Sequence, residues 1–276
     1  MSSEDGQGPF TTPENHDFYA RRKYTNVNPN DREIRLLRVH PTRLTANEIH
    51  QTFPQWAQAD SDVARLLQTT AVGNNHENYI CCELLGPKKL ESIKKKYAAL
   101  SYCAGSVTET KRILVDGYWF NAFANLEHAL DGFIHTFDRK YASANLLWTD
   151  QVCIHQGDHR EKSHQVGFMR DIYENAYITY VVLSTTVTPM ECAESGIEAV
   201  KLMFALLNAR AGVEGHCWVR HEKRQRGFST FFKEFIYLKP TDPVCEFLPQ
   251  LFHFLDLVVS AKWWTRAWVC GVRGLF

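Results

Sequence analysis

The alternation of apolar and polar positions is most regular between residues 146 and 184. Residues 146–152 begin with a short apolar run, residues 160–176 carry apolar side chains at helical spacing, and residues 178–184 are almost continuously apolar. This pattern predicts a strand, a helix and a buried strand that is parallel to the first. Such a crossover is right-handed, so the polar loop after the first strand is expected at the carboxyl edge of the sheet.

The helix of this unit has recognisable start signals and one apolar face. Asp158 is predicted to be its N-cap, with Glu161, three residues later, as the capping-box partner. Apolar residues that share the predicted inward face are Val166, Met169, Ile172, Tyr173 and Ala176. We expect Ile172, together with Trp148 from the first strand, to be a core residue.

The same patterns predict the other elements. They are strands at 34–39, 79–85 and 98–103, one or two helices within 44–67, a hairpin at 112–123 and a helix at 125–138. The first two strands are expected to pair, an Asp-Gly turn marks the hairpin, and Asn125 is the predicted cap of the following helix. We therefore predict a three-layer α/β sandwich with a mostly parallel central sheet, elaborated by an N-terminal β-rich segment and helical insertions.

Polar residues follow two strands that this fold places side by side. Parallel neighbours at 98–103 and 146–152 would end at the same edge of the sheet, where open α/β sheets bind ligands. The residues expected at this crevice are Ser101, Tyr102, Gly105, Asp150 and Gln156.

Composition narrows the class of protein. The chain has 276 residues, of which 45% are hydrophobic, and its 31 basic side chains equal its 31 acidic ones. That balance supports a globular core and provides no electrostatic attraction for nucleic acid. Residues 1–30 are polar and rich in Gly, Pro and Asn, and are predicted to be a flexible tail. Residues 31–276 would then form the folded domain.

The chain lacks the sequence signals of membrane insertion or secretion. No apolar run approaches the ~18 residues that span a bilayer, and the amino terminus has no apolar signal-peptide core. We therefore expect a cytoplasmic protein without a membrane span.

The eight cysteines contain no CxxC pair, and in a cytoplasmic chain they are expected to be reduced thiols. Zinc binding by Cys153, His155, His159 and His164 is not predicted. Their spacing fits no common zinc site, and the helix directs the last two to different faces.

Three motifs, in order, resemble those of the heterokaryon-incompatibility (HET) domain of filamentous fungi. "YAALSYCAG" at 97–105 is similar to the family's YxALSYxWG opening. "LWTDQVCIHQGD" and the helix after it, within 146–184, resemble the central LWIDAICINQ motif. "WWTRAWVCG", within 263–272, looks like the closing WFxRAWxxQE. Three motifs in the family's order are more specific than any single match.

The HET domain in turn resembles the Toll/interleukin-1 receptor (TIR) domain, and this resemblance implies a TIR-like fold. Many TIR domains cleave nicotinamide from NAD, using a glutamate in the segment that corresponds to the closing motif. A carboxylate there stabilises the positive sugar that develops as the bond breaks. The resemblance adds Arg266 and Trp268 to the candidate ligand-binding residues, makes NAD a possible substrate, and implies no bound cofactor or metal.

This chain departs from the family pattern in two places. Ala104 stands where the opening motif usually has tryptophan, and Gly271-Val272 replaces the Gln-Glu of the closing motif. Val272 therefore occupies the position of the candidate catalytic glutamate, which leaves Asp150 and Glu161 as weaker catalytic candidates.

The departures leave three functions open. One is a signalling module of fungal non-self recognition, an innate-immunity function, that triggers programmed cell death by self-association or by binding a protein partner. The second is an NAD-cleaving, TIR-like enzyme. The third is an inactive copy that is degenerate or truncated at its carboxyl end, since Val272 stands close to the last residue.

Overall fold

The computed structural model describes residues 15–70, 77–136 and 146–182. The strands there are β1 (Glu33–Val39), β2 (Cys81–Lys89), β3 (Ala98–Tyr102), β4 (Thr110–Val115), β5 (Tyr118–Phe123), β6 (Leu146–Trp148) and β7 (Ile178–Val182). The α-helices are α1 (Asn15–Arg21), α2 (Ala46–Thr52), α3 (Asp62–Thr70), α4 (Ala124–Thr136), α5 (Asp150–Cys153), α6 (His159–Gly167) and α7 (Met169–Asn175). Short 3-10 helices are formed by Pro54–Trp56 and Leu90–Ile93.

The described strands form one sheet in the order β5-β4-β2-β1-β6-β3-β7. Strand β3 pairs in parallel with β6 on one side and with β7 on the other. The predicted parallel neighbours are therefore confirmed. The predicted pairing of the first two strands is confirmed as well, in antiparallel orientation.

The expected parallel majority is not found in the described sheet. Three pairings are parallel and three are antiparallel. Strand β1 accounts for two of the antiparallel pairings, because it lies between β2 and β6. The N-terminal β-rich segment thus enters the middle of the sheet rather than extending it, and the described sheet is mixed.

Helices cover both faces of the sheet, as a three-layer fold requires. The Trp148 ring contacts Tyr173 of α7 with ring centroids 5.4 Å apart, and the Tyr180 ring contacts Phe133 of α4 at 5.3 Å. Trp148 and Tyr180 are paired with successive residues of β3, whose side chains point to opposite faces. Helices α7 and α4 therefore lie on opposite sides of the sheet.

The hairpin prediction is confirmed in detail. Strands β4 and β5 pair in antiparallel register, and the turn residues Asp116 and Gly117 have positive φ angles of 51° and 85°. Two residues with positive φ are what a two-residue hairpin turn needs. A Cβ atom on Gly117 would lie 2.9 Å from Cβ of Trp56, so the close approach of that tryptophan also requires glycine.

The central strand and helix end earlier than expected. Strand β6 stops at Trp148, and Asp150–Cys153 form a helical turn where the prediction continued the strand to residue 152. The predicted single helix is divided into α6 and α7 at Phe168, which has φ −127° and ψ 20°. The break changes the direction of the apolar face, so Val166 is 54% exposed and its assignment to the core is wrong.

Most of the predicted face is nevertheless buried. Trp148 and Ile172 are fully buried, which confirms both as core residues. The predicted cap at Asn125 is wrong, because α4 begins one residue earlier. The Asn125 side chain instead donates a hydrogen bond to the Cys103 carbonyl at 2.7 Å and joins α4 to the end of β3.

The flexible tail does not extend to residue 30. From Asn15 the chain forms α1, and Phe18 is 1% exposed within the main core. The Asn15 side chain accepts a hydrogen bond from the Asn121 N–H at 2.7 Å and donates one to the Asn121 carbonyl at 3.0 Å. The amino-terminal segment thereby occupies hydrogen-bonding groups on the outer edge of β5, which would otherwise be open to other strands.

Candidate functional site

The residues expected at the crevice lie at the end of β3 or in the segments that follow β3 and β6, but most of them are buried. Ser101 is 0% exposed, Tyr102 2% and Gln156 4%. Asp150, on α5, is 8% exposed. Gln156 donates a hydrogen bond to the Asp150 backbone carbonyl at 2.7 Å, which brings these two residues together.

Gly105 is placed differently from the other predicted residues. It lies exposed in the loop after β3 with a φ of 82°, and a Cβ atom there would come within 2.8 Å of Asn125 Nδ2. Glycine is required by both the positive φ and this contact. Ala104, at the family's tryptophan position, is half-buried in the same loop.

The loop after β6 is fixed by a buried ion pair that the sequence did not reveal. Arg35, on β1, forms a bidentate pair with Glu161, on α6, with N–O distances of 2.6 and 2.8 Å. The two side chains are only 2% and 7% exposed. Arg35 also donates hydrogen bonds to the carbonyl of Cys153 at 3.1 Å and to that of Thr25 at 2.7 Å. One guanidinium thus joins α5, α6 and the amino-terminal segment to the central strand.

Glu161 consequently has a different role from the one predicted. Asp158 is confirmed as the N-cap of α6, because its side chain accepts from the N–H groups of Arg160 and Glu161. The Glu161 carboxylate does not complete a capping box; it accepts from the His155 N–H at 2.7 Å and from Arg35. The nearby guanidinium supplies a stronger, charged donor than the cap N–H could, and this explains the difference.

His155 lies at the outer side of this loop. Its ring stacks on Tyr19 with centroids 4.6 Å apart and meets the Tyr24 ring edge-on at 4.9 Å. Burial lowers the pKa of His155 below its ordinary value, although the Glu161 carboxylate acts in the opposite direction. The imidazole is therefore held mainly in its neutral form at neutral pH.

Two buried thiols, Cys153 in this loop and Cys81 on β2, have little nucleophilic character. Burial raises the pKa of Cys153 to about 12 and that of Cys81 to about 12. A thiol with such a pKa is almost entirely protonated at neutral pH. Within the described ranges, no three His, Cys, Asp or Glu side chains are grouped so that they could hold a metal ion.

The remaining candidates, Arg266, Trp268 and Val272, lie outside the described residues. Arg35 is the residue that sequence reasoning missed. In "EIRLLRV" it resembles Arg38 on the same strand, which is exposed and pairs with Glu83. The two are distinguished by their contacts, since Arg35 is buried against Glu161 and the carbonyls of Cys153 and Thr25. In the described part of the chain, no helix is long and apolar enough to cross a membrane.

The described residues form an α/β domain with a mixed sheet. The segment 150–158 after β6, the central loop, is fixed by the buried Arg35–Glu161 ion pair. Residues 97–271 match the family model described as heterokaryon incompatibility protein (HET). Since the match covers more than half of the chain, the chain belongs to the heterokaryon incompatibility family.

The chain is similar to a protein of Neurospora crassa. The chain is 34% identical over 131 residues to its heterokaryon incompatibility protein 6, OR allele. The alignment covers 45% of this chain and 19% of the relative, so the similarity spans about a fifth of that protein. No solved structure matches the chain.

Proposed function

We propose that this chain is a signalling module of heterokaryon incompatibility that acts in the cytoplasm and triggers programmed cell death. In this proposal it acts by self-association or by binding a protein partner, and it does not cleave NAD. Membership of the family and the name of the Neurospora relative support the biological role.

The observation that favours association over catalysis is the engagement of Glu161. An NAD-cleaving site needs a carboxylate free to stabilise a developing cation. The Glu161 carboxylate is already neutralised by Arg35 at 2.6 and 2.8 Å and is almost completely buried. Val272, at the expected glutamate position, offers no charge.

We further propose that the parallel part of the sheet follows the TIR arrangement. Strands β6, β3 and β7 are adjacent in that order, which is 2-1-3 when the three are numbered along the chain. Flavodoxin-like sheets share this order and bind ligands where it reverses, between the first and third strands. On this basis the crevice would lie between the carboxyl ends of β3 and β7, rather than between β3 and β6.

The first experiment compares NAD cleavage by purified variants of the full chain. Nicotinamide release is followed at high protein concentration for the unaltered chain and for the double variant Gly271→Gln, Val272→Glu. We expect no useful turnover from the unaltered chain, because losing one electrostatic stabiliser costs about a hundred- to a thousandfold in rate. Asp150→Asn is measured beside Asp60→Asn, a matched change at an exposed position.

The second experiment measures the biological outcome. The full chain is expressed from an inducible promoter in a filamentous fungus, while growth arrest and cellular NAD are recorded together. Arrest with unchanged NAD, and a molar mass of the purified chain that rises with concentration, would support the proposal. NAD turnover that disappears in Asp150→Asn but not in Asp60→Asn would refute it and assign the catalytic role to Asp150. Absence of arrest would refute the signalling role.

A further inference from the structure

A groove lies far along the sheet from the central loop, between α3, the start of β2 and the β4–β5 hairpin. Its volume is about 560 Å³, within the range of small-molecule sites. It is lined by Asp62, Arg65, Leu66, Thr69, Glu77, Tyr79, Lys111, Arg112 and Trp119.

The walls of the groove are held together by Asp62. This residue begins α3, and its backbone N–H donates to the Gly117 carbonyl in the hairpin turn at 3.1 Å. Its carboxylate accepts hydrogen bonds from the Trp119 N–H at 2.8 Å and from Arg21 at 3.2 Å. Asp62 is 5% exposed. The helix and the hairpin are thus joined by buried contacts, which fix these two walls of the groove relative to one another.

Two aromatic rings line the groove. Tyr79 and Trp119 are half-buried, with ring centroids 5.2 Å apart and an interplanar angle of 64°. The Tyr79 backbone is paired with Leu44 through hydrogen bonds of 2.9 and 3.0 Å, and its hydroxyl donates to Glu77 at 2.7 Å. Fixed, partly exposed rings of this kind stack on planar groups at a low entropic cost.

Arg112 supplies the positive charge. It pairs across the hairpin with Asn121, as Leu114 does with Trp119, so Arg112 projects from the same face as Trp119. Its side chain is exposed and has no hydrogen bond or ion pair within the described residues. Lys111 projects from the other face, where its amine pairs with Glu127 at 3.1 Å, and Arg65 pairs with Asp62 at 3.1 Å. Arg112 is thus the cation free to meet an anion.

We propose that this groove binds a nucleoside phosphate. One ring of the aromatic pair would stack on the base, Arg112 would pair with the phosphate, and the Glu77 carboxylate would accept hydrogen bonds from sugar hydroxyls or base amino groups. Arginine forms planar, bidentate pairs with phosphate, and a carboxylate recognises ribose hydroxyls in other nucleotide sites. This ligand class needs an aromatic surface, a cation and a carboxylate together, and the groove contains all three.

The groove is only partly made by the region that defines the family. Asp62, Arg65, Glu77 and Tyr79 precede residue 97, where the family match begins. Ligand binding here would therefore go beyond the proposed signalling role and would involve residues outside the family match.

The test is calorimetric titration of the purified full chain with adenosine monophosphate, adenosine and inorganic phosphate. We expect the monophosphate to bind more tightly than either fragment. Arg112→Gln should weaken monophosphate binding by about tenfold or more, because a hydrogen-bonded charge pair is lost. Adenosine binding should be unchanged in that variant. Arg160→Gln, at an exposed position on α6, removes the same charge outside the groove and serves as the matched control.

Circular dichroism of each variant establishes that the fold is retained. The proposal is overturned if the unaltered chain does not bind adenosine monophosphate at millimolar concentration. It is also overturned if Arg112→Gln and Arg160→Gln weaken binding equally, which would indicate a general charge effect. Inorganic phosphate binding as tightly as the monophosphate would remove the role assigned to the aromatic pair and would refute a nucleoside site.

Discussion

The central loop and the groove each contain an arginine paired with a buried carboxylate, but the two arginines lie in opposite environments. In the loop, Arg35 and Glu161 have side chains only 2% and 7% exposed. In the groove, the Arg65 side chain is 62% exposed and pairs with Asp62 at 3.1 Å. Arg112, beside them, is exposed and has no ion pair within the described residues. Both carboxylates are buried, since the Asp62 side chain is also only 7% exposed, but Arg35 fixes the fold whereas Arg65 and Arg112 remain accessible.

The difference shows why a family motif need not be the accessible chemical site. The loop after β6 belongs to the matched region, yet its carboxylate is used to hold α5 and α6 against β1. Taking two charges out of water is costly, so each depends on the other for compensation. The exposed guanidinium groups of Arg65 and Arg112 keep their hydration and can exchange it for a ligand.

The largest effect that separates the two regions is expected from removing one arginine in each. Arg35→Met should lower the free energy of unfolding by about 3–5 kcal/mol, because it leaves the Glu161 carboxylate buried without an opposite charge. Arg65→Met should cost less than about 1 kcal/mol, since exposed ion pairs contribute little. Urea unfolding of both variants measures the contrast.

A double variant sharpens this prediction. Arg35→Met with Glu161→Leu removes both charges and should recover part of the lost stability, though not all, because the Thr25 and Cys153 carbonyls also lose their donor. Equal losses for Arg35→Met and Arg65→Met would contradict the proposed difference in environment.

Within the central motif, a smaller contrast separates its two helices. Ile172→Ala should cost about 2–5 kcal/mol, because it empties space in the core. Val166→Ala, an exposed position six residues earlier on the predicted face, should change stability by less than about 0.5 kcal/mol. Thermal unfolding of the two variants is the measurement. A similar loss of stability in both would indicate that Val166 and Ile172 share one buried face, as the predicted single helix requires.

The sequence predicted local features of this fold better than long-range ones. The hairpin turn at Asp116-Gly117, the Asp158 cap and the burial of Trp148 depend on neighbouring residues or on short periodicity, and all are found. The break at Phe168 and the central position of β1 depend on contacts distant in the chain. The local pattern of apolar and polar residues contains no information about such contacts.

The candidate site shows the same limit. The adjacency of β3 and β6 follows from the alternation of strands and helices and is found. The hydrogen bond between Gln156 and the Asp150 carbonyl is a local contact within the loop after β6. The role of Glu161 could not be predicted, because its partner Arg35 lies 126 residues away. The groove depends on α3 meeting the hairpin through Asp62, a contact across 57 residues.

The smallest predicted effect concerns the pH dependence of the central loop. Burial lowers the pKa of His155, and its buried Nδ1 has no hydrogen-bond partner within the described residues. The unfolded chain therefore binds a proton at His155 more readily than the folded chain does. This contribution to stability is fully present above the unfolded pKa of about 6.5 and is lost as the pH falls through the lower folded value.

The His155→Phe variant keeps a ring to stack on Tyr19 but cannot titrate. Urea unfolding midpoints are measured above and below a pH of about 6.5. The midpoint should fall less between the higher and the lower pH for His155→Phe than for the unaltered chain. His159→Phe, at an exposed position, should leave the slope unchanged. Parallel slopes for the unaltered chain and His155→Phe would mean that the imidazole is protonated as easily in the folded loop as in the unfolded chain. The His155 imidazole in the central loop would then be as accessible to water as the exposed Arg112 side chain at the groove.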